Sequence, residues 1–131
     1  MRTSLPTLQT KLYDALASHT PLINRITGVY DYVPENVKAP YVAIGDPTVN
    51  DWGTKTFNGE EVTFTLNVWS SYKGKSEVYE IFNLILEALD NPLVLDGFEM
   101  QFQRREYMEV IDDNISGLKH GVIRLRFKIS Q

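Results

Sequence analysis

The sequence predicts an α+β fold, a mostly antiparallel sheet with two helices packed on one face. Three observations predict it. In residues 62–69, Val62, Phe64, Leu66 and Val68 alternate with Thr63, Thr65, Asn67 and Trp69, the period of a strand with one buried face. After the turn-forming run Ser70-Ser71-Tyr72-Lys73-Gly74-Lys75, the spacing changes: Val78, Ile81, Phe82, Ile85, Ala88 and Leu89 recur three or four apart, as the apolar face of a helix requires. Further strands follow one another through short turns, which favours antiparallel pairing. This strand–turn–helix unit, residues 60–89, offers more connected apolar surface than any other stretch and is taken as the core.

The elements follow in chain order. Ser4 is placed to cap a first helix, with Pro6 in its first turn. Leu5, Leu8, Leu12, Ala15 and Leu16 form its apolar stripe, and Ser18-His19-Thr20-Pro21 ends it. Leu22, Ile23 and Ile26 make a short apolar link or one turn of helix. Residues 29–33 read as a strand ended by Pro34-Glu35-Asn36, and residues 41–44 as a second, entered through Pro40 and closed by Gly45-Asp46-Pro47. Residues 46–59 read as a long loop or an extended β-hairpin arm, with Trp52 and Phe57 as their large apolar groups; connections of this length tend to be functional. In the central helix, Ser76 is placed as the cap, and Glu77 and Glu80 favour the positive end of the dipole. Asn91-Pro92 stops it. Phe98, Met100 and Phe102 then alternate with Glu99, Gln101 and Gln103 in a strand that runs on toward Val110. Asp112-Asp113-Asn114-Ile115-Ser116-Gly117 is a turn. In the last strand Ile123, Leu125, Phe127 and Ile129 face inward, and Val122, Arg124, Arg126 and Lys128 outward. Phe64, Leu66, Ile81, Ile85, Leu125 and Phe127 are expected to be buried together.

With 131 residues the chain favours one domain, and 43% apolar residues argue against global disorder. Cysteine is absent, which excludes a disulfide framework and thiolate metal ligands. No apolar run approaches the roughly 20 residues of a membrane span, and Met1-Arg2-Thr3-Ser4 lacks the apolar run of a signal peptide. The expectation is a protein made in the cytoplasm, with no membrane partner. A net charge of −4 argues against a dedicated nucleic-acid binder.

No motif carries catalysis. Gly74-Lys75-Ser76 sits between strand and helix as a phosphate-binding loop would, but the glycine that signature needs five residues earlier is Trp69. The plainer reading is a strand-to-helix turn; nucleotide binding stays as the low alternative. His19 and His120 are far apart in sequence and lack triad spacing. Asp46, Asp51, Asp112 and Asp113 are oxygen donors that turn chemistry explains equally well, so no metal or other cofactor is expected. What stands out is the outward set. Arg124, Arg126 and Lys128 form a basic stripe, extended by Arg104 and Arg105 if their strand pairs alongside. Thr63, Thr65, Asn67 and Trp69 also point away from the core, and an exposed tryptophan is enriched at interfaces; if both stripes lie on one sheet face, that face suits protein contact. The candidate interface is therefore Trp52, Phe57, Trp69, Arg124, Arg126 and Lys128.

One stretch resembles a known family. Gly28-Val29-Tyr30-Asp31-Tyr32-Val33-Pro34-Glu35 followed by Ala39-Pro40-Tyr41-Val42-Ala43-Ile44-Gly45 looks like the signature of siphophage tail completion proteins, also called tail-to-head joining or tail terminator proteins. Asn67-Val68-Trp69-Ser70, then Gly74 and Glu77 leading into a helix that ends at Leu89, is similar to the family's arrangement, as are the two late strands. The resemblance implies a tail-terminator-like fold, similar to that of the tail terminator of phage lambda, whose β-arm or loop reaches a neighbouring subunit. It implies a structural protein of a phage or prophage and no catalytic residues. The implied role is a ring, taken to be of six subunits, that caps the tail tube and joins it to the head connector. The implied partners are the tail tube protein, the head connector protein and other copies of the chain. DNA would pass through the lumen without sequence-specific binding. The implied location is the virion, at the head–tail interface. A monomer in dilute solution that forms the ring at high concentration or on tail tubes is expected. A different virion component, such as a tail-tube or head-completion protein, is the alternative. Within the signature, Val33-Pro34-Glu35 and Pro40-Tyr41 are read as shaping the turn between two strands.

Overall fold

The computed structural model describes residues 2–131. The elements are α1 (Leu5–Ala17), α2 (Thr20–Ile23), β1 (Val29–Tyr30), β2 (Tyr41–Ile44), β3 (Thr48–Asp51), β4 (Gly59–Ser70), α3 (Ser76–Ala88), β5 (Glu99–Asp112) and β6 (Lys119–Ser130). The six strands form one sheet in the order β1-β2-β4-β6-β5, with β3 also paired to β4. The expected α+β class holds, and the apolar link after α1 takes its one-turn helical form as α2. Pro21 sits in the first turn of α2, where its missing N–H costs nothing.

β4 and β6 are the spine, paired antiparallel along their whole length from Gly59↔Ser130 to Ser70↔Lys119. Their inward residues meet the apolar faces of α1 and α3. Phe64, Leu66, Ile81 and Phe127 are fully buried, Ile85 likewise, and Leu125 nearly so, so the six residues expected to share a core do share it. Gly121 permits the close approach of α3: a Cβ there would lie 2.5 Å from Val78 Cγ1 and 2.8 Å from the Phe82 ring.

Several local readings are corrected. The first strand is Val29–Tyr30, not residues 29–33, and it runs parallel to β2. The ten-residue connection between them is long enough to carry the chain back to its starting end, so it is a return loop and not a hairpin turn. Neither expected serine cap forms. Ser4 is at the N-cap of α1, but its hydroxyl donates to Glu60 Oε2 (2.8 Å) and its N–H to the same oxygen (3.1 Å), so a carboxylate from β4 holds this helix end. Ser76 is the first residue of α3 and Lys75 is its N-cap, without a side-chain bond. The anchor at that end is Glu77, which accepts from the Ser70 hydroxyl (2.6 Å) and pairs with Arg25 (3.0 Å).

Residues 46–59 are resolved in favour of the hairpin. β2 and β3 lie end to end along one edge of β4, Ile44 opposite Leu66 and Thr48 opposite Thr63. Four steps on this edge therefore span three on β4, and Gly45-Asp46-Pro47 absorbs the extra residue. The Thr48 and Thr63 hydroxyls are hydrogen-bonded to each other, and the Trp52 N–H donates to the Gly59 carbonyl (2.9 Å).

The largest misreading is in β5. The alternation Phe98, Met100, Phe102 is broken by a register shift between Met100 and Phe102, so Met100 faces Ile129 on the inner side while Phe102 lies opposite Lys128 on the outer side. Gln103 becomes the inward residue. Its Oε1 accepts from the Leu93 N–H (2.8 Å) and its amide donates to the Leu89 and Asn91 carbonyls (3.1 Å each), which ties down the α3–β5 connection.

Candidate interaction face

The apolar faces of α1 and α3 pack on the inward residues of the strands, and among the described residues no helix covers the other side of the sheet. The register brings the predicted outward residues together there. Thr63 is opposite Arg126, Thr65 opposite Arg124, Asn67 opposite Val122 and Trp69 opposite His120. On β5, Phe102, Arg104 and Tyr107 fall on the same side, opposite Lys128, Arg126 and Arg124. Arg104 thus extends the basic stripe as expected. Arg105 does not, because it pairs with inward-facing Leu125.

The face has three parts. At one end the indole of Trp69 stacks on the His120 imidazole, with centroids 4.0 Å apart and planes 7° from parallel. The His120 Nε2–H donates to Asn67 Oδ1 (2.7 Å). Burial holds the His120 imidazole below the ordinary histidine value, against the opposing pull of Asp113 and Glu109. In the middle, Phe102 carries three cations around its ring, Lys128 Nζ at 5.4 Å, Arg126 at 5.8 Å and Arg104 at 6.0 Å. Arg124 lies 5.6 Å from the Tyr107 ring. At the other end the β3–β4 hairpin carries Trp52 and Phe57 edge to face, centroids 5.7 Å apart, with Lys128 also 5.4 Å over Trp52. The six interface candidates therefore lie along one continuous surface.

Its charge is unbalanced. Arg126 bonds Glu61 (3.1 Å), which raises the guanidinium's pKa above its ordinary value. Among the described residues the ion pairs include none of Arg104, Arg124 or Lys128. Arg104 and Arg126 are direct cross-strand neighbours, an arrangement of like charge that weakens a sheet. Sequence reasoning missed Phe102, Tyr107 and His120. The first two reach this face only through the β5 register shifts, which no hydrophobic period announces.

The other candidate chemistries find ordinary uses. Gly74-Lys75-Ser76 forms the turn into α3 in an antiparallel setting. Asp51 Oδ1 accepts from the Gly53 N–H (3.0 Å). Asp112 pairs with Lys119 (2.6 Å) and Asp113 accepts from Ser116 (2.6 Å), which lowers the pKa of both carboxyls. Among the described residues no group of three or more His, Asp or Glu is arranged to hold a metal ion. No described helix is long and apolar enough to cross a membrane.

Known proteins resemble this chain in sequence and in fold. The tail completion protein gp17 of Bacillus phage SPP1 is 32% identical over 124 residues, 94% of this chain and 92% of that protein. The structure of the bacteriophage SPP1 gp17 protein superposes with a TM-score of 0.66 at 30% identity, over 93% of this chain and 88% of the other. A chain from the virion of a native gene transfer agent particle shares the fold, with a TM-score of 0.85 at 22% identity and full coverage of both chains. The family described as tail completion protein gp17, which is not an enzyme family, matches residues 10–130. The chain belongs to this family of phage tail completion proteins, structural components of the virion.

Proposed function

We propose that this chain is a single domain that caps the finished tail tube as a ring, taken as six subunits, and joins the tube to the head connector. It needs no cofactor for this, and DNA passes through the lumen without sequence-specific contact. The observation that carries the reading is the uncovered side of the sheet. Trp52, Phe57, Trp69, Phe102, Tyr107 and a set of unpaired cations line one continuous surface that no helix covers. Aromatic and arginine side chains of this kind supply much of the energy at protein–protein contacts. A structural role in the tail accounts for such a surface, and membership of the tail completion family supports that reading. The subunit is expected to be monomeric in dilute solution, because ordering an interface costs free energy that a tube end offsets by templating.

The test is complementation of a phage defective in this gene with a chain carrying Trp52→Ala and Phe57→Ala. Expected are an unchanged circular dichroism spectrum and tails of unregulated length, or tails unattached to heads. Normal plaque formation by this variant would overturn the reading. So would label found along the whole tail instead of at its head-proximal end, which marks a tube protein.

A further inference from the structure

On the opposite edge of the sheet from β5, the return loop after β1 presents Asp31, Tyr32, Val33, Pro34, Glu35 and Asn36 to solvent, all exposed. Tyr32 is 76% exposed, and the ion pairs of the described residues include neither Asp31 nor Glu35. Asn36 closes the loop in the left-handed region at φ 65°. Tyr32, flanked in sequence by Asp31 and Glu35, is exposed enough to add little to the packing of its own chain. The face near β5 is richer in cations: half-buried Phe102 and exposed Tyr107 lie among Arg104, Arg124 and Arg126, of which only Arg126 enters an ion pair among the described residues, with Glu61, while the Tyr107 hydroxyl donates to Glu109 (2.6 Å).

We propose that the loop Asp31-Tyr32-Val33-Pro34-Glu35 of one subunit docks on the Phe102–Arg104–Tyr107–Arg124 face of the next copy of this chain. The inference rests on the ring reading and adds which two surfaces meet. Charge complementarity matches the occupant to the site: Arg104 and Arg124 enter no ion pair among the described residues, Glu109 being bonded to Tyr107 instead, so Asp31 and Glu35 supply direct carboxylate partners, and Tyr32 adds a ring to an aromatic-cationic surface. The sheet order supplies the geometry. The loop leaves the β1 edge while the basic face lies toward the β5 edge, so the two patches sit at opposite ends of one subunit. Two different patches at opposite ends make a head-to-tail contact, which forms a ring when its rotation closes.

The experiment uses three full-length variants: Arg104→Glu with Arg124→Glu, Asp31→Lys with Glu35→Lys, and the combination of all four. All four side chains are exposed and outside the salt bridges, so circular dichroism is expected to match wild type. Assembly is followed by sedimentation velocity over a concentration series and by negative-stain imaging on isolated tail tubes. Each two-site variant is expected to need a concentration higher by about tenfold or more to assemble, since like charges then face each other. The four-site variant, and an equimolar mixture of the two-site variants, are expected to assemble again. Wild-type assembly matched by both two-site variants, or no recovery in the four-site variant, would overturn the docking alone. A wild-type chain that stays monomeric at every concentration and on tubes would overturn the ring reading and the docking with it. The cysteine-free sequence permits a second readout. Tyr32→Cys with Tyr107→Cys is expected to give a ladder of disulfide-linked species on a non-reducing gel, and a ladder that stops at dimers would overturn the head-to-tail geometry.

Discussion

The two sides of the sheet are built from the same strands, residue by residue in alternation, yet they do opposite things. On β4 and β6 the inward residues Val62, Phe64, Leu66, Ile123 and Phe127 are removed from water entirely. Their outward neighbours Thr63, Thr65, Arg124 and Arg126 stay at the surface or half-buried. The inner side is sealed by α1 and α3, and Gly121 lets α3 settle onto β6 without a gap. The outer side has half-buried and exposed aromatic rings, and Arg104, Arg124 and Lys128, which enter no ion pair among the described residues. Folding stability and, on the proposed reading, association depend on alternate residues of one strand pair, so a change on one side is expected to leave the other nearly untouched.

That separation is open to attack by mutation. The largest effect is expected from Phe64→Ala or Phe127→Ala, each removing a fully buried ring, at about 3–5 kcal/mol of stability in urea unfolding. A loss below about 1 kcal/mol at both sites would mean that the inner side is not the core. Next comes Gly121→Ala. Its methyl would meet Val78 and Phe82 inside 3 Å, and overpacking of this kind costs about 1–3 kcal/mol in the same assay. On the outer side, Arg124→Ala is expected to shift stability by no more than about 0.5 kcal/mol. Its effect belongs in assembly, read as a loss of tube-bound protein in a pelleting assay. A large stability loss at Arg124 would break the comparison.

The smallest effect is expected from His120. Burial favours its neutral form in the folded state, so below the ordinary value of 6.5 the unfolded chain binds more protons than the folded one. This contribution is therefore present above about pH 6.5 and is lost as pH falls through it. Unfolding midpoints at pH 7.5 and 5 are expected to differ more for wild type than for His120→Gln. An equal difference in the two proteins would show that the Trp69–His120 stack does not respond to protonation.

What was legible in the sequence was whatever depends on one residue's neighbours along the chain. The period of β4 placed Phe64 and Leu66 inward and Trp69 outward, and the three-to-four spacing of α3 placed Ile81 and Ile85 in the core. The basic stripe of β6 was visible because its alternation is unbroken, and the 28–45 signature pointed to the family that the whole-chain comparison shows.

Tertiary structure alone decided what depends on distant chain. Ser4 was a credible cap by local rules, but Glu60, 56 positions away, offered a charged acceptor that its own helix could not. Phe102 looked inward by alternation, and one unpaired residue in β5 turned it to the other side, because a shift of one residue reverses every side chain after it. The β1–β2 pair is parallel because the connection after Tyr30 is a return loop, a path that the turn residues in it do not reveal. Sequence alone determined which residues are apolar and with what period. Which cations end up beside one another around Phe102 was decided by strand register, which is settled only when the whole sheet pairs.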